Sequence, residues 1–79
     1  GAETRTLAIP TFVGQLLTIC MDTDGGDITL TVASAINQTG NNTIVFNDAG
    51  DTVTLVGRTV GGTRRWQLVQ NDGATLSTV

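Results

Sequence analysis

Ile28, Leu30 and Val32 alternate with Thr29 and Thr31, a period of two that suits a strand with one buried face and defeats an amphipathic helix. The rhythm recurs. Val53 and Leu55 oppose Thr52 and Thr54, Trp66 and Leu68 oppose Arg65 and Gln67, and Ile44 and Phe46 share a side. Threonine and valine carry branched β-carbons that fit a pleated surface and lose rotamer freedom in a helix. The segment Gln15–Met21 is apolar on both faces, through Leu16, Leu17, Ile19, Cys20 and Met21, which predicts a central strand. Thr4–Ile9 predicts a first strand, with Pro10 ending it or placing it at a sheet edge, because proline cannot donate to a ladder. Trp66, Leu30, Ile28, Leu55, Val53 and Leu68 are the expected core.

Turn signals separate these runs. Asp24-Gly25-Gly26, Asp48-Ala49-Gly50-Asp51, Gly61-Gly62 and Asn71-Asp72-Gly73 supply residues that tolerate positive φ. Gly40-Asn41-Asn42 closes a longer connection, in which Ala33–Gln38 has the only composition for a short helical turn. Strands at a spacing of roughly 8–12 residues predict an all-β fold, a small antiparallel β-sandwich or barrel of six to seven short strands run as a meander. One domain fills residues 1–79, with residues 1–12 a candidate extended N-terminal strand or arm.

So short a chain hides only about 60–65% of its unfolded surface, and small domains compensate with disulfides, metals or oligomerisation. Cys20 is the lone cysteine and histidine is absent, which excludes an internal disulfide and a tetrahedral zinc shell. Oligomerisation is left. Apolar residues opposite the expected core (Phe12, Val13, Val45, Val56 and Val69) also leave a second surface wanting cover. There is no lysine, and seven acids against the arginines Arg5, Arg58, Arg64 and Arg65 give a net charge of −3. Such a surface repels phosphate, which argues against nucleic-acid partners and anionic membranes. No apolar run approaches the ~20 residues that span a bilayer as a helix.

Chemistry has little to work with. Asp22-Thr23-Asp24-Gly25-Gly26-Asp27 resembles the opening of a calcium loop, but the twelfth position from Asp22 is Ala33, not a bidentate glutamate. A hairpin turn with solvated aspartates bonding their own backbone explains it, and explains Asp48–Asp51 as well. Cys20 sits in an apolar run with no base to activate it, and Ser34 and Ser77 have neither histidine nor lysine to help them. Neither a catalytic residue, a metal site nor a cofactor is expected. Arg64-Arg65-Trp66 has two readings: Trp66 as core anchor, or Trp66 and its arginines as an interface hot spot. Threonine-rich outward faces are either solvated or packed against identical neighbours.

The wording Asp48-Ala49-Gly50-Asp51-Thr52-Val53-Thr54-Leu55, then Gly61-Gly62, Trp66-Gln67-Leu68-Val69 and Asn71-Asp72-Gly73, resembles small β-domains of tailed-bacteriophage virions. It is similar to segments of capsid decoration (cement) proteins and of tail-fibre modules, closely over the C-terminal half and loosely over the rest. The resemblance implies a non-enzymatic homotrimer on the virion surface that clamps the major capsid protein. It implies, as the alternative, a receptor- or glycan-binding fibre domain. The interface is then expected at the N-terminal segment, Thr4, Arg5, Thr6, Leu7, Ile9 and Phe12, together with Arg65, because a terminus can add a strand to a neighbouring protein.

Overall fold

The computed structural model describes residues 3–23 and 25–78. The described residues contain seven strands and no helix: β1 (Glu3–Leu7), β2 (Leu16–Cys20), β3 (Ile28–Val32), β4 (Thr43–Phe46), β5 (Thr52–Val60), β6 (Thr63–Asp72) and β7 (Thr75–Ser77). They form two sheets, a four-stranded one in the order β1-β3-β4-β7 and a three-stranded one in the order β2-β5-β6. The architecture is a small β-sandwich, so the all-β reading holds.

The alternation read from the sequence fills the space between the sheets. Leu30 and Val32 of β3, Ile44 and Phe46 of β4, Val53 and Leu55 of β5, and Trp66 of β6 are buried. Ile28 and Leu68, expected inside, are only partly buried and pack against this cluster. Val45 and Val56, expected outside, are half-covered. Met21, Ile36 and Ala74 complete the core from outside the strands.

Four expectations need correcting. The chain is not a meander, since β1 pairs in parallel with β3, from Glu3 opposite Ile28 to Leu7 opposite Val32. A short strand entering beside β3 from the same end has that polarity, and side-chain alternation looks the same in either direction. The run Gln15–Met21 is an edge strand, because β5 and not β2 lies in the middle of its sheet. Leu17 and Ile19 turn inward, whereas Leu16 and Cys20 are exposed. Ala33–Gln38 makes bends and a turn, not a helical turn. Asn37 Oδ1 accepts from the amides of Gly40 and Asn41, each at 3.0 Å, and this side chain supplies what helical bonds would. Finally, the turn read at Asn71-Asp72-Gly73 is present, with Gly73 at φ 90° and Asn71 bonding Ala74, but Asn71 and Asp72 themselves still belong to β6.

Two local features shape the second sheet. Gly61 and Gly62, at φ 59° and 83°, join β5 to β6 by a two-residue turn that needs positive φ at both positions. Opposite Thr54 and Leu55, β6 gains an unpaired residue, Val69. This bulge breaks the alternation and leaves Val69 exposed.

Candidate functional site

Between β1 and β2 the chain folds back across the end of β5 and β6. Pro10 is fully buried. The carbonyls of Ala8 and Pro10 accept hydrogen bonds from Trp66 Nε1 at 2.7 Å and from Arg64 Nε at 2.9 Å. Gly14 donates to the Gly57 carbonyl and Gly57 to that of Gln15, both at 2.8 Å. Gly57 must lack a side chain here, for a Cβ would lie 2.6 Å from the Phe12 carbonyl oxygen and 2.8 Å from Pro10 Cβ. Held in this way, the segment presents Ile9, Phe12, Val13 and, at the start of β2, Leu16 to solvent, with Phe12 58% exposed. A fixed ridge of large apolar side chains is what a partner surface needs.

Charge is divided between the two ends of the sandwich, whose long axis is 38 Å. Strand register places Glu3 beside Ile28, Ile28 beside Phe46, Cys20 beside Thr52 and Thr52 beside Asp72. Every described acid (Glu3, Asp22, Asp27, Asp48, Asp51 and Asp72) therefore sits at one end; Asp24 lies outside the described residues. Arg58, Arg64 and Arg65 sit at the opposite end, beside the apolar ridge. Arg58 and Arg65 are directly opposite each other, a like-charge pairing that is unfavourable until a counter-charge arrives. Arg58 bonds Gln67 at 2.8 Å, while Arg65 Nε is buried with no hydrogen-bond partner among the described residues. These arginines, with Asn37, Gln38 and Gln67, line a cleft of about 160 Å³.

At the acidic end a second cavity, of about 130 Å³, opens between the sheets. Ile19, Met21, Ile28, Leu30 and Phe46 form its walls, and Arg5 and Cys20 stand at its rim. Arg5 is paired with Glu3 at 2.8 Å in an exposed salt bridge, worth little by itself. Cys20, placed by the sequence in a central strand, is exposed because β2 is an edge strand. Asp51 also departs from expectation. It bonds its own turn through the amides of Asn47 and Asp48, at 3.0 and 3.1 Å, but it is buried, not solvated. Among the described residues, no group of three acids or thiols is placed to hold a metal.

The residues expected at an interface fall in three places. Thr4 and Thr6 share the outer face of the four-stranded sheet with Thr29 and Thr31, whereas Arg5 and Leu7 lie on the side of Leu30 and Val32. Ile9 and Phe12 lie on the ridge, and Arg65 in the cleft. The terminal strand adds to its own sheet, which makes residues 3–12 part of the sandwich and not a free arm. The core-anchor reading of Trp66 holds, with 5% exposure. Sequence reasoning did not connect Arg58 and Arg64 with Phe12, nor find the acidic-end cavity. The charge division was there to be seen, since Asp22, Asp27, Asp48 and Asp51 fall in alternate connections, with Glu3 at the start of β1 and Asp72 at the end of β6. No protein-family model, curated protein or solved structure matches the chain.

Proposed function

We propose that this chain is a structural component of a tailed-phage virion. It works as a homo-oligomer, most simply a trimer, that decorates the capsid surface by binding the major capsid protein and carries out no catalysis. The observation that carries this reading is the set of exposed apolar side chains Ile9, Phe12, Val13 and Leu16, on a connection that backbone bonds tie to Gly57. So much fixed apolar surface on so small a chain serves association better than solvation. The capsid and the trimer come from the likeness to decoration proteins. The test is cosedimentation of the purified protein with capsids that lack it. Saturable binding is expected, and its absence removes the assignment.

A second reading, the receptor- or glycan-binding fibre domain, is favoured by the cleft of Arg58, Arg65, Asn37, Gln38 and Gln67. Its side-chain donors suit an acidic sugar. Failure to bind capsids together with selective binding of acidic glycans would establish it.

A further inference from the structure

The ridge and the acidic-end cavity are complementary. The cavity is apolar and about 130 Å³, and apolar cavities of about 150 Å³ hold a benzene ring. Phe46 and Trp66 are buried, so Phe12 is the exposed aromatic of the chain. It cannot reach the cavity of its own molecule. Phe12 precedes β2, while the cavity begins at Ile19 near the far end of that strand. The five residues of β2 alone span about 13 Å. The charges match in the same sense: Arg64 bonds the Pro10 carbonyl and Arg58 follows Gly57 beside Phe12, whereas Asp22 and Asp27 adjoin the cavity residues Met21 and Ile28, the one cation in its lining, Arg5, being already paired with Glu3.

We propose that the chain associates head to tail, the phenyl ring of Phe12 from one copy entering the cavity between the sheets of the next, and the arginine end of the first facing the acidic end of the second. Ile9, Val13 and Leu16 pack around the ring, and the paired Arg58 and Arg65 gain the counter-charge they lack within the fold. The contact joins two different patches, so each added copy still offers one ridge and one cavity. Growth stops only when a ring closes. This identifies the surface used by the oligomer proposed above, and in that sense it rests on that reading.

The test exploits the two different patches. Phe12→Ser removes the ridge aromatic and keeps the cavity; alkylation of exposed Cys20 with a bulky maleimide obstructs the cavity and keeps the ridge. Sedimentation equilibrium should show wild-type self-association weakened at least about tenfold by either change, and weakened by added salt. Mixed together, the two altered forms should give a one-to-one dimer and nothing larger. A Val13→Cys variant reports proximity directly, because position 13 and Cys20 are too far apart in one molecule to bridge. Mild oxidation should link them between copies, as peptide mapping would show. An oligomer that Phe12→Ser leaves unchanged overturns the head-to-tail contact but not the oligomer. A wild-type chain that stays monomeric overturns both, while capsid binding is measured separately.

Discussion

Trp66 Nε1 donates a 2.7 Å hydrogen bond to the carbonyl oxygen of Ala8, tying the middle of β6 to the chain just beyond β1. The indole also packs in the core, at 5% exposure. One side chain thus joins the two sheets through the connection that leads to the exposed ridge. Trp66→Ala is expected to cost about 3–5 kcal/mol. Trp66→Phe keeps much of the packing and loses the bond, worth about 1 kcal/mol. Urea denaturation of the two variants should rank them in that order. An unchanged midpoint for Trp66→Ala would show that the indole is not packed in the core.

Gly57 supports the same connection from below. A methyl group there meets the Phe12 carbonyl oxygen and the Pro10 ring, which are held close by the Gln15 amide on the Phe12 carbonyl and by Arg64 on the Pro10 carbonyl. Gly57→Ala is therefore expected to destabilise by about 1–3 kcal/mol, as overpacking does. Gly25→Ala, where a Cβ meets nothing within 4 Å, should stay within about 0.5 kcal/mol. Thermal melts of both variants check the contrast, and equal melting temperatures would contradict the close approach.

Deleting residues 1–9 should abolish cooperative folding. The truncation strips β3 of a five-residue neighbour, removes Leu7 from the margin of the core and deprives Trp66 of its acceptor. Far-ultraviolet circular dichroism and a melting curve report the outcome. A truncated chain that melts as the full one does would restore the picture of a detachable arm.

Strand positions and the inward residues of β3, β4 and β5 were legible in the sequence, because alternation of threonine with Ile, Leu and Val is imposed by the pleat itself. That no disulfide can close within the chain was legible in composition alone, from its single cysteine. The division of charge could also have been read there, from acids that fall in alternate connections or at the strand ends beside them. Strand order was another matter. The apolar run Leu16–Cys20 carries two apolar faces wherever it lies, and pattern cannot tell a strand covered by its own fold from an edge strand covered by a neighbour. Ile36 sits in a connection without periodicity. It is fully buried where the Leu68 amide donates to its carbonyl at 2.6 Å, a contact across more than thirty positions of sequence. The parallel entry of β1 beside β3, and the meeting of Phe12 with Gly57, depend likewise on which strands pair at long range. Alternation fixes which face of a strand is buried, but only packing in three dimensions selects its neighbours, its direction and the surface left for another molecule.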